Sequence, residues 1–117
     1  MAQLITPAVI FPRFTAIVGA HPYPSLPIDV TAFEKVYMTF WRGPFVGTGT
    51  SLTFQFQQST DRYVWENTGA VVSPDEDEQK QIGFGLDHHW LRVVATLNGT
   101  GPGATVWAQG YFVNREE

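Results

Sequence analysis

Asp87-His88-His89 is the one place in this sequence where groups able to hold a metal or move a proton stand side by side. A metal site needs His or carboxylate ligands converging from several elements. Neighbouring residues of an extended chain point to opposite faces, so His88 and His89 do not readily share an ion. The remaining histidine is His21. A turn carrying ordinary polar residues is the expected reading. Asp75-Glu76-Asp77-Glu78 sets four carboxylates in a row, and carboxylate oxygens suit calcium. The run lacks the glycine and the spaced ligands of a calcium loop, so it reads as an exposed, self-repelling loop or a charge contact. Pro74 followed by acids would also suit a single turn of helix.

No Ser stands in a G-x-S-x-G elbow, and no pair of acids has the context of glycosidase work. The glycine-rich stretch 98–103 lies between strand patterns and opens no helix, so it does not meet the condition for a phosphate cradle. Asn98-Gly99-Thr100 matches a glycosylation acceptor, which is read as chance. The chain is therefore read as non-enzymatic, with no catalytic residue, cofactor or metal assigned. The aromatics are the stronger candidates for binding. Tyr37 and Trp41 share a strand face, and Trp65, Trp90 and Trp107 lie on other segments. Exposed on a β-sandwich they would stack on sugar rings. Packing inside or between sheets is the favoured reading.

The elements that must carry these residues are strands. Residues 90–113 organise the chain. Leu91, Val93, Ala95 and Leu97 alternate with Arg92, Val94 and Thr96, the period of a half-buried strand. Asn98-Gly99-Thr100-Gly101-Pro102-Gly103 then predicts a turn, and 105–113 a returning strand, so the pair reads as a long hairpin. Upstream, Val36, Met38 and Phe40 alternate, as do Leu52, Phe54 and Phe56, and Ile82, Phe84 and Leu86. A short strand is expected at 63–65, broken by Asn67-Thr68-Gly69. Turn signals separate about seven or eight strands, with no convincing helix. The expected fold is all-β: a single-domain β-sandwich or jelly roll of antiparallel strands. Pro7 and Pro12 rule out a helix near the start. Residues 1–27 are read as an extended N-terminal arm and Pro-rich connector, the apolar segment being either an edge strand packed on its own domain or an arm that adds a strand to a neighbouring subunit, and 28–117 as the sandwich. Removing residues 1–14 is expected to leave the sandwich folded.

Composition narrows the partners. The chain of 117 residues is long enough to bury a core, and its 9 Phe, 4 Trp and 4 Tyr supply the area. Charged residues make up only 15%, against about 25% in typical soluble domains. Sparse charge is what a surface covered in an assembly would show. The net charge of −4, with scattered Lys and Arg, argues against nucleic acid. No apolar run approaches the roughly 18 residues of a membrane span, and the N-terminus lacks a signal-peptide pattern. The absence of cysteine favours assembly in a cytoplasm.

Residues 35–113 resemble small β-sandwich structural proteins of tailed-bacteriophage virions, of the head decoration or cement type. Thr53-Phe54-Gln55-Phe56-Gln57-Gln58-Ser59-Thr60-Asp61 followed by Trp65 looks like their strand, ST-D, W segment. Trp90-Leu91-Arg92-Val93-Val94 with Asn98-Gly99-Thr100-Gly101-Pro102 looks like their ending. The resemblance implies a virion protein, assembled in the host cytoplasm. It would bind the outer head surface and stabilise contacts between subunits of the major capsid protein or other virion proteins, with homo-oligomerisation open. Ile5, Val9, Ile10, Phe11 and Phe14 of the arm and Phe45 and Val46 of the following loop are the expected contacts. A neck, tail or fibre component, or a carbohydrate-binding sandwich with Trp41 or Trp65 exposed, are the alternatives.

Overall fold

The computed structural model describes residues 4–115 and builds them from strands alone. In chain order these are β1 (Ile5–Val18), β2 (Pro22–Pro24), β3 (Ile28–Asp29), β4 (Phe33–Arg42), β5 (Val46–Ser59), β6 (Glu66–Val72), β7 (Lys80–Gly85) and β8 (Trp90–Asn114). β8 is 25 residues long and is flanked on both sides. On one side β5 pairs with it from Ser59↔Trp90 to Val46↔Gly103, and β4 continues from Arg42↔Val106 to Phe33↔Asn114. On the other side lie β3 and β2, then β1 from Val18↔Gly103 to Ile5↔Val113. β6 is added outside β5 and β7 outside β4, and every strand pairing is antiparallel.

This long sheet is folded back on itself. Phe40 and Phe54 belong to successive strands along the same side of β8. Laid out straight, 14 residues would separate them by about 46 Å. Their ring centroids are 4.7 Å apart. Phe56 of β5 likewise meets Phe84 of β7 at 4.7 Å, and Phe11 of β1 meets Phe54 at 6.4 Å. The fold is thus a flattened, nearly closed roll around one core. The alternation read from sequence sets its inner face: Val36, Met38 and Phe40, then Leu52, Phe54 and Phe56, then Leu91, Val93, Ala95 and Leu97 are all buried.

The structure departs from the sequence reading in several places. Residues 98–103 are no hairpin turn, because β8 runs straight through them. Their glycines serve close approach. A Cβ at Gly99 would lie 2.9 Å from the Thr50 Cα, and one at Gly47 would lie 2.7 Å from the Thr100 carbonyl oxygen. The glycines let two strands cross tightly where the sheet bends. Residues 5–18 follow the edge-strand alternative for the arm. They form β1 on β8 of the same chain, with Phe11 and Ile17 in the core. Met1, Ala2 and Gln3 of the expected arm lie outside the described residues. Pro7 and Pro12 are tolerated because β1 is an edge strand. Deleting residues 1–14 would remove a core phenylalanine and half an edge, so the domain should not survive it unharmed. The 63–65 stretch is a bend, and Asn67-Thr68-Gly69 lies within β6 rather than breaking a strand.

Candidate functional site

Two surfaces concentrate exposed chemistry. The first is the apolar edge along β1 and the β2–β3 segment. Ile5 and Val9 are each 60% exposed, Phe14 68%, Val18 74%, Leu26 85% and Val46 67%. Val9 and Leu26 face each other across a cleft that also holds Ile10, Pro27 and Ile28. Val18 and Val46 flank a second hollow with Pro44 and Pro102. Of the contacts expected from sequence, Ile5, Val9, Phe14 and Val46 are on the surface. Ile10 is half-buried against the core, and Phe11 belongs to the core. Phe45 is half-buried beneath the Arg42 guanidinium, 3.8 Å from its ring centre.

The second surface is the outer face of β1, β8, β4 and β7, which strand register arranges in rows. Tyr37 stands opposite Tyr111, Thr39 opposite Gln109, and Trp41 opposite Trp107. Across β7, Tyr37 meets Gly83 and Thr39 meets Gln81; across β1, Tyr111 meets Pro7 and Gln109 meets Val9. The Tyr37 and Tyr111 rings lie 5.2 Å apart, and Trp41 and Trp107 stack at 6.2 Å with planes 11° apart. Gly83 makes room for Tyr37: a Cβ there would stand 2.5 Å from the Tyr37 ring. Between the two aromatic rows lies a groove of about 330 Å³ floored by Thr39, Gln81 and Gln109.

A bulge in β1 closes one end of this groove. The pairing shifts between Phe11 and Thr15, and Phe14 adopts φ 63°. A left-handed backbone at a bulky residue is strained, and surrounding contacts must hold it. Here Phe14 packs edge-on against Trp41 at 5.9 Å, and Thr15 Oγ1 donates to the Pro12 carbonyl at 2.6 Å. The bulge carries Arg13 over the Trp107 ring, 4.7 Å from its centre.

The motifs singled out in the sequence are elsewhere. Asp87 Oδ1 and His88 Nδ1 are 2.7 Å apart in an exposed bend, tied down by Gln58, whose Oε1 accepts the Asp87 and His88 backbone N–H groups at 3.3 Å. The acidic loop is stitched to the end of β4: Arg42 Nε donates to the Pro74 carbonyl at 2.9 Å, and Asp77 N–H donates to the Arg42 carbonyl at 2.9 Å. Among the described residues no three His, Asp or Glu side chains converge. Trp65 is folded down: its Nε1–H donates to the Arg62 carbonyl at 3.0 Å, and Arg92 lies 4.3 Å over its ring. Arg62 in turn covers Trp90 at 4.6 Å. These crossed cation–aromatic pairs latch the 59–65 loop onto the start of β8.

Asp61 organises that loop. Its Oδ1 accepts the Tyr63 and Val64 backbone N–H groups at 2.8 and 3.0 Å. The Val64 bond, then the Tyr63 bond, holds its carboxyl below the usual carboxylate range. A carboxylate lowered in the folded state contributes stability that is present above its unfolded pKa and lost as pH falls through the folded value. The protection factors of the Tyr63 and Val64 amides, corrected for the intrinsic pH dependence of exchange, should therefore fall as pH drops below about 4. Asp61→Asn should flatten that dependence; an unchanged profile in the variant would assign it to another group.

The fold and these surfaces define a single-domain, all-β chain with an apolar edge and an outward aromatic–amide face. No protein-family model matches the chain, and no curated protein matches it. Among solved structures, it is similar to the crystal structure of SPBc2 prophage-derived protein YomS, over 95% of this chain and 96% of that one, with 13% sequence identity and a TM-score of 0.45.

Proposed function

We propose that this chain is a non-catalytic structural protein of a tailed-bacteriophage virion, docking through its β1 edge on the outer shell of the head. The observation that carries the reading is the apolar edge: Ile5 and Val18 of β1 and Leu26 of the β2–β3 segment lie exposed, with Val46 across β8 from Val18, on a domain with few charges. Exposed apolar groups gathered along a sheet edge mark a surface that a partner covers. The segment resemblance over residues 35–113 supplies the phage context. Because β1 is already paired to β8 it is not lent whole to a neighbour, and docking uses its exposed side chains and outer edge. A repeated shell then multiplies a modest contact area by symmetry.

Copy number is the deciding measurement. In purified particles, mass spectrometry against the major shell protein should give a ratio near one or a simple fraction of it. A handful of copies would move the protein to the neck or tail, and its absence from particles would overturn the reading. Contact chemistry is tested by Val18→Lys with Leu26→Lys. Both side chains are exposed, so the fold should be unchanged by circular dichroism, while particle affinity should fall about tenfold or more. Unchanged affinity would remove the β1 edge as the docking surface.

A further inference from the structure

We propose that the groove between Trp107 and Tyr111 is a saccharide-binding site, with Gln109, Thr39 and Gln81 as its hydrogen-bonding floor. The argument rests on how the glutamines are used. In the other half of the sheet they are locked. Gln55 Nε2 donates to the Thr68 carbonyl at 3.0 Å. Gln57 accepts from Arg92 Nε at 2.8 Å and donates to Asn67 Oδ1 at 2.9 Å. Gln58 Nε2 donates to Thr68 Oγ1 at 3.0 Å. Within the groove, no side-chain hydrogen bond among the described residues engages Gln109, Gln81 or Thr39. These three are direct cross-strand neighbours. Strand register thus lines up two amides and a hydroxyl, donors and acceptors both, facing outward together.

The walls suit the same ligand. Trp107 and Tyr111 are four residues apart on one strand, so they stand on one face about 13 Å from each other. That span takes one or two pyranose rings: Tyr111, half-buried, offers an apolar face to one of them, Trp107, 4% exposed between Trp41 and Arg13, closes the far end, and the sugar hydroxyls reach the amide floor. Arg13 adds free guanidinium donors at one end, held in place by the Trp107 ring and the strained bulge. A phosphate-rich ligand fits poorly: this is a single cation on a chain of net charge −4. A peptide adding itself as a strand would use the open backbone edges of β1 and β7 and leave Gln109 and Thr39 untouched, since β8 and β4 are paired on both sides. The groove shares Val9 of β1 with the apolar edge but not Val18 or Leu26, whose substitution tests docking, so either assignment can fail alone.

The test uses a printed array of neutral and uronic-acid-containing oligosaccharides, followed by fluorescence titration with the strongest binder. Binding to at least one array member is expected. Gln109→Ala and Gln81→Ala, both on the surface, should each weaken it by about tenfold, since lost groove hydrogen bonds are of that order. Gln55→Ala, in the other half, should leave it unchanged. Arg13→Ala distinguishes the ligand types, with a selective loss for acidic sugars placing the carboxylate at the bulge. No binding to any array member at millimolar concentration would overturn the proposal, as would binding that survives the paired Gln109→Ala and Gln81→Ala substitution.

Discussion

Gly110→Ala should remove a large part of the fold's stability. Gly110 pairs with Met38 at the centre of the β4–β8 ladder. An added Cβ would stand 2.8 Å from the Met38 Cα and closer still to the Tyr37 carbonyl oxygen. Those are backbone atoms in a strand paired on both sides, so nothing yields. Overpacking of this kind costs about 4 kcal/mol or more once the ladder must open. Domains of this size are stable by about 5–15 kcal/mol in total. The midpoint of urea unfolding should drop by a large part of its value in the variant. A shift in midpoint of ordinary size would mean that β4 and β8 separate more easily than their register implies.

Phe54→Ala carries the second large effect. Phe54 is fully buried and touches Phe40 from one side and Phe11 from another, so it joins β5 to β4 and to the edge strand β1. Removing the ring deletes contacts across the fold of the sheet and leaves a cavity there. The loss should be about 3–5 kcal/mol. The equilibrium midpoint in urea measures it. Amide exchange should rise in β1 together with β5, because one ring serves both; protection that persists in β1 would show that the edge is held by its ladder alone.

Alternation made the strands legible. Val36-x-Met38-x-Phe40 and Leu52-x-Phe54-x-Phe56 announce both the strands and their inner faces, and both stand in the core as read. What alternation does not carry is the path between strands. Asn98-Gly99-Thr100-Gly101-Pro102-Gly103 has the composition of a turn, yet the same glycines serve a tight crossing, and only the partner at Thr48 and Thr50 decides between the two. The N-terminal segment stayed open between edge strand and lent arm for a related reason. Pro7 and Pro12 exclude a helix but are equally at home on an edge strand, and Phe11 gives no local sign that it reaches Phe54. The groove was half visible. Tyr37 and Trp41 were readable as neighbours on a face, but their cross-strand partners Tyr111 and Trp107 depend on register between segments about 70 residues apart. Gln109 and Gln81 carried no signal at all in sequence, since an amide that will be locked and one that will stay free look alike.

Because one strand is the neighbour of five others, the order of synthesis and the order of assembly run opposite ways. β1, β2, β3, β4 and β5 all take their pairing from β8, which is the last of the eight strands to be made. While the chain is being translated, only β5 with β6 and β4 with β7 have partners at hand. The apolar faces of β4 and β5, and the whole of β1, must wait unsheathed until residues 90–114 arrive. Contacts this distant in sequence make folding slow. The growing chain passes through its most aggregation-prone state just before its final strand closes the sheet.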